Sequence, residues 1–409
     1  MTRNAMKNVL LFLLSITTLP LSAQAQSIPN FRIQVVDNQI DIGYGMAIGD
    51  VDGDRRPDIL LADQKEFVWY KNPGGSSSGD KTSTWQRYVM AANLTPQDNV
   101  CIAARDIDGD GRVEVAVGAG WNPAETDDST KSGAVFYLIR PKDPTQPWEP
   151  VRLHHEVTTH RMRWAKVGRN NFQLIVVPLH GRYNRNGEGR GVKVLAYEMP
   201  KNPRDTWKMQ LVDSTMHMTH NFDIWEDGAE TQLLIGSKEG GKRLAYRKGR
   251  WEPLGRWIGQ GNGMGEVRRG FDKGKVPFVA SVEPMHGNKV AVYRNGPVAD
   301  APDRLMYGVT QPLTDKFNQG HALVCGDFLG LGSDQVVAGW RNPNADKQVG
   351  IRMFVPGAAG QWQEYPIDDS VRMACEDLQA ADLDGDGDLD LIASGRATLN
   401  VLIYWNQRK

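Results

Sequence analysis

Short apolar runs separated by polar turns dominate the chain, and no long stretch keeps a helical period. "GMAIGDVDGDRRPDILLA", "CIAARDIDGDGRVEVAVG" and "LQAADLDGDGDLDLIASG" each read as an apolar strand, an acidic turn and a second apolar strand. Their first acidic positions are Asp50, Asp106 and Asp382. Weaker copies of the pattern are anchored at Lys166, Glu226, Gly270 and Asp327, so a unit recurs every 44 to 60 residues. A third strand follows most copies ("FVWYKNPG", "VKVLAYEMP", "VAVYRNGP"), and a fourth usually opens on tryptophan ("WQRYVM", "WEPVRL", "WKMQLV", "WQEYPI"). Four strands per copy at this period predict β-propeller blades, seven in number.

The last copy stops after its third strand, "VLIYW". The segment "FRIQVVD" (Phe31 to Asp37) matches "WKMQLVD" (Trp207 to Asp213), an outer strand. The N-terminal strand is therefore expected to complete the last blade and close the ring, which removes the exposed sheet edge. The expected class is all-β, a seven-bladed propeller over residues 26–409 as one domain. Residues 1–25 read as a secretory signal peptide: Arg3 and Lys7, then the apolar "VLLFLLSITTLPL", then an A-x-A site at Ala23 to Ala25. A periplasmic or secreted protein is expected, without stable membrane insertion once the signal is cleaved. Cys101, Cys325 and Cys375 are too few for a disulfide framework and read as buried thiols. With 48 basic and 49 acidic residues, the charge balance gives no ground for a nucleic-acid partner.

The acidic turns carry carboxylates at alternating positions. They are Asp50, Asp52, Asp54 and Asp58; Asp106, Asp108, Asp110 and Glu114; and Asp382, Asp384, Asp386 and Asp390. Alternating hard oxygens around a glycine turn suit a structural Ca²⁺, and the alternative is a solvated Asx-type turn. The pattern resembles FG-GAP or VCBS-type propeller repeats.

In a propeller the first strand of each blade lines the axis. The residue six before each anchor marks that strand's start: Tyr44, Val100, His160, His220, Met264, His321 and Glu376. His160, His220, His321 and Glu376 on one ring suit a divalent transition ion at the channel mouth, Zn²⁺ foremost. The alternative is that these histidines bind water and loop carbonyls. The turns between second and third strands should reach the same face. They bring His180 and His286 as proton-transfer candidates beside Tyr44. They also bring Trp121, Lys238, Glu283, Trp340 and Arg341, with Arg161 next to the ring, as candidate saccharide contacts.

At "THRMRWAKV", "THNFDIW", "GNGMGEV", "EPMHGNKVAVY" and "GHALVCGDF" the sequence resembles the propeller domain of aldos-2-ulose (anhydrofructose) dehydratase. The resemblance implies a carbon–oxygen lyase on a keto-sugar or related saccharide. It places His160, His220, His321 and His286 on family motif positions and leaves His180 without a counterpart. β-Elimination needs a base, an acid and an electrophile for the carbonyl. The expected division is ring metal as electrophile, His286 first and Tyr44 second as base or acid, and Glu376 as either a ligand or an orienting carboxylate. A uronate polysaccharide lyase and a non-catalytic FG-GAP binding propeller are the alternatives.

Overall fold

The computed structural model describes residues 28–74, 83–228, 230–298, 301–357, 360–370 and 372–408. The proposed signal peptide lies outside these residues. Seven four-stranded antiparallel sheets form a seven-bladed β-propeller. The innermost strands are Gly45–Gly49, Asp98–Arg105, Thr159–Gly168, Thr219–Trp225, Val267–Asp272, Gly320–Gly326 and Cys375–Ala381. They touch one another in succession around the axis, and the seventh touches the first. The N-terminal strand Phe31–Asp37 pairs antiparallel with Asn400–Asn406, with Phe31 opposite Asn406 and Val35 opposite Leu402. The first strand in sequence is thus the outermost strand of the last blade.

Among the described residues, buried apolar side chains form seven clusters, one at each junction between neighbouring blades. The alternating strands explain this. Each sheet stands radially with a neighbour on both faces, so both faces are apolar near the axis. The tryptophans that open the outer strands fill these junctions. Trp148 and Trp207 are nearly buried, and their indole N–H groups donate to Pro144 O (3.0 Å) and Pro203 O (2.9 Å), four residues back. Cys101, Cys325 and Cys375 are free thiols, and burial pushes Cys101 up to about 12. Among the described residues no helix is long and apolar enough to cross a membrane.

In the acidic turns, positions 1, 3 and 9 converge: Asp50, Asp52 and Asp58; Asp106, Asp108 and Glu114; Asp382, Asp384 and Asp390. Position 5 does not join them. Asp54 pairs with Arg56, Asp110 with Arg140 (3.1 Å), and Asp386 accepts the Asp388 N–H (2.9 Å). The same backbone bonds recur in all three turns. The first aspartate accepts the N–H of Gly53, Gly109 or Gly385, each at 2.7 Å. These glycines have φ near +80°, which favours glycine there. The position-9 carboxylate accepts the N–H of Val51, Ile107 or Leu383 at 2.9, 2.9 and 3.1 Å. In the sixth blade Gln335 Oε1 accepts from Leu329 N at 2.9 Å, one residue further along than the donor in the acidic turns, so an amide closes that turn where the others use a carboxylate. Burial raises Asp58 and Glu114 to about 7 each.

Candidate functional site at the channel mouth

On the face opposite the acidic turns, four imidazoles from four blades form one continuous cluster. His160 and His220 have ring centroids 4.6 Å apart, His220 and His321 4.8 Å, His286 and His321 4.7 Å, and His220 and His286 4.3 Å. His160, His220 and His321 are brought there by the starts of three innermost strands, as their shared position implied. His286 arrives from the turn after the second strand of the fifth blade.

That turn is fixed by close backbone packing. Gly265 N donates to Val282 O (3.0 Å), and Met285 N donates to Gly263 O (2.6 Å). A Cβ on Gly265 would lie 2.1 Å from Met285 O, and one on Gly287 2.0 Å from Glu283 O. "GMGEV" and "EPMHGN" therefore need their glycines to bring His286 against His220.

The cluster is pinned from behind. His160 Nδ1 lies 3.0 Å from His220 O, and His321 Nδ1 lies 2.6 Å from Glu376 O. A carbonyl oxygen only accepts, so both Nδ1 atoms carry the proton and both Nε2 atoms present lone pairs. His220, His286 and His321 each offer a ring nitrogen within 4.8 Å of the others. His286 Nε2 stands 2.6 Å from His220 Nε2, a hydrogen-bond distance that requires a proton on one of the two nitrogens. Neutral nitrogen donors converging in this way fit a borderline-soft divalent ion.

All four rings are held neutral. Burial, then Arg161 and His220, push His160 well below the ordinary histidine range. Burial, then Arg161 and Arg341, do the same for His220, and burial, then Arg341 and His286, for His321. His286 falls to about 2, through burial first and then His220 and Arg341.

The structure rearranges the expected ligand set. His286 joins His220 and His321 in the converging trio, and His160 stands beside it, stacked on Trp121 at 4.9 Å. Glu376 does not face the trio as a ligand. Its carboxylate accepts from Arg341 Nη1 (2.8 and 3.0 Å) and Arg396 Nη1 (3.0 Å), and His321 Nε2 is 3.8 Å away. Two guanidiniums outcompete an imidazole for a buried carboxylate because their charge is permanent.

Tyr44 lies next to this group. Its hydroxyl donates to Asp98 (3.1 Å), Arg396 sits over its ring at 5.2 Å, and burial lifts it to about 12. Arg161 is nine-tenths buried and donates to His160 O at 3.2 Å.

Four other expectations fail or move. Trp340 is fully buried, stacked on Phe317 at 4.6 Å with its indole N–H on Gln348 O, so no sugar can stack on it. Glu283 is buried and bonded to Ser281, Tyr293 and Lys289, which makes it a structural acid. Lys238 is committed to Glu188 and the Gly187 carbonyl. His180 is buried with its Nδ1 unpartnered and makes no ring contact with the four imidazoles.

The sequence reading did not single out Glu266, Arg396 or Asp98. Glu266 sits in the quoted "GMGEV", is 1 % exposed, and has Oε1 at 2.9 Å from His220 Nδ1. The available signal was an acid at the head of an apolar innermost strand, a place where a buried charge requires a partner.

Residues 132–296 match the family model described as aldos-2-ulose dehydratase, beta-propeller domain. Residues 50–117 match that of an FG-GAP-like repeat. His160, His220, Glu266 and His286 lie inside the first stretch, and His321 lies beyond it. No curated protein matches the chain. Among solved structures, the crystal structure of BBS1N in complex with ARL6DN, soaked with lead, is 12% identical, with a TM-score of 0.53 over 93% of this chain and 97% of that one. The same complex soaked with mercury is 12% identical, with a TM-score of 0.52 over 94% and 98%. At that identity the likeness concerns the fold alone. The chain is a seven-bladed β-propeller with FG-GAP-like repeat sequence, and over residues 132–296 it resembles the propeller domain of aldos-2-ulose dehydratase.

Proposed function

We propose that the chain is an exported carbon–oxygen lyase of the sugar-dehydratase type, acting on a keto-sugar or related saccharide. The observation that carries this reading is the cluster of four neutral imidazoles from separate blades. Two are held by backbone carbonyls so that their Nε2 atoms stay open. The match of residues 132–296 to a dehydratase propeller supports it. The leader-like N-terminus is the ground for export.

His220, His286 and His321 would hold a divalent ion such as Zn²⁺, which would supply Lewis acidity toward the sugar carbonyl. The remaining chemistry falls to the chain. His160, outside the trio with its Nε2 lone pair free, accepts the proton on the carbon next to the carbonyl. The C–H electron pair passes into the enolate and returns to form the new C=C bond as the C–O bond at the β-carbon breaks. Tyr44, kept protonated by its raised pKa, donates to the leaving oxygen. His286, whose Nε2 faces His220 Nε2 within the converging trio, serves as a ligand. Arg161 offers a charge for the developing enolate oxygen. Trp121, half-buried against His160, offers the wall for a sugar ring. Ca²⁺ in the acidic turns would add rigidity to bonds already made.

The test follows ultraviolet absorbance of the conjugated product while the Zn²⁺-supplied full chain meets a panel of keto-sugars and uronides. The reading expects turnover on a keto-sugar that disappears in His220→Ala. Uronide turnover alone would move the substrate to the polysaccharide-lyase alternative. Saccharide binding without turnover, unchanged in His220→Ala, would favour a binding propeller.

A further inference from the structure

The four imidazoles are not equivalent. His160 and His321 rest their Nδ1 atoms on backbone carbonyls, which are neutral acceptors. His220 Nδ1 instead faces a carboxylate: Glu266 Oε1 is 2.9 Å away, and the two side chains are 0 and 1 % exposed. The contact is short enough to bond but out of line, and neither atom makes a well-aligned hydrogen bond elsewhere, although the Gly265 backbone also approaches the His220 ring.

Glu266 is itself held in place. Asn221 Nδ2 donates to its Oε2 at 2.8 Å, and Arg268 Nη2 lies 3.6 Å from the same oxygen. Asn221 Oδ1 in turn accepts from Arg163 at 3.3 Å. The chain of contacts runs from the third blade through the fourth to the fifth.

We propose that Glu266 is the positioning residue of the cluster. It accepts a hydrogen bond from the Nδ1–H of His220 and so fixes the ring with its Nε2 lone pair toward His286 and His321. A carboxylate behind an imidazole makes the opposite nitrogen a stronger donor than a carbonyl does. His220 is then the anchoring ligand of the trio, and His286 and His321 complete the set. The ion arm of this inference rests on the proposed reading of the site. The tautomer arm does not.

Two measurements on the full chain test it. The first is ¹⁵N imidazole NMR of the ion-free protein near neutral pH. It should show His220 as the Nδ1–H tautomer, with a charge-assisted shift that relaxes in Glu266→Gln. The second is Zn²⁺ affinity by chelator competition. Glu266→Gln should bind about 10- to 100-fold more weakly, and Glu266→Asp should fall between it and the wild type. A wild-type His220 protonated on Nε2 would overturn the inference, and so would a Glu266→Gln chain that binds Zn²⁺ as tightly as the wild type. If the wild type bound no Zn²⁺ but showed the carboxylate-dependent tautomer, the positioning role would stand and the metal reading would fall. The wild-type spectrum decides the tautomer even if a variant misfolds.

Discussion

The two faces of the propeller both gather buried titratable groups, yet they are finished differently. In the acidic turns the carboxylates are closed by backbone N–H donors: Asp50 by Gly53 and Arg55, Asp58 by Val51 and Asn72, with matching bonds in the second and seventh blades. The sixth blade closes its turn with Gln335. On the imidazole face the bonds lie behind the rings, and the nitrogens pointing forward converge on one another. A ligand cluster whose atoms already have partners can be structural without an ion. One that is braced from behind, with its forward nitrogens left to face one another, is the better candidate to receive an ion.

The largest effect expected from this contrast is on the open face. His220→Ala or His321→Ala should abolish tight divalent-ion binding, measured by chelator competition, and remove turnover. Equal mutations in the turns, such as Asp106→Asn, should leave both unchanged.

Tyr44→Phe comes next. Loss of an acid should lower turnover by roughly 10²- to 10⁴-fold, while the melting temperature changes little. A variant with full turnover would take Tyr44 out of the chemistry.

pH separates the faces further. The folded pKa of His286 is lowered from 6.5 to about 2. The unfolded chain therefore binds the extra proton across that window, and stability is lost as pH falls below 6.5. The loss has an upper slope of about 1.4 kcal/mol per pH unit for each such ring. Asp58 and Glu114 are raised to about 7, so their contribution has the opposite sign: it is full below pH 4 and is lost as pH rises through 7. Denaturant titrations of the ion-free chain between pH 4 and 7 should show His286→Gln flattening the acid-side loss and Asp58→Asn flattening the other. If both variants tracked the wild type, the assignments would be wrong.

The smallest expected effect is from calcium. Chelation should lower the melting temperature only slightly at neutral pH, because the turns keep their N–H bonds. An unfolded chain on chelation would show the turns depend on the ion.

The architecture was legible because closure leaves a trace in the sequence: an outer strand, "FRIQVVD", displaced to the far end of the chain. The ring positions were legible because each stands at a fixed distance from its turn. Side-chain direction within the loops was not. Trp340 and Glu283 end their strands, and their pairing with Gly350 and Lys289 draws them into the blade instead of onto the face. Glu376 is drawn to Arg341 and Arg396, which reach it from other segments, and no local spacing reveals this. Glu266 had no periodic marker. Its role appears only once the fifth blade lies beside the fourth.

The central claim is that the open imidazole face holds an ion and the closed acidic face does not depend on one. Elemental analysis of the full chain, purified without chelator beside its His220→Ala/His321→Ala variant, tests it most directly. The account predicts about one transition-metal equivalent per wild-type chain, none in the variant, and the same calcium content in both. A wild type free of transition metal, or a variant that retains it, would contradict the account.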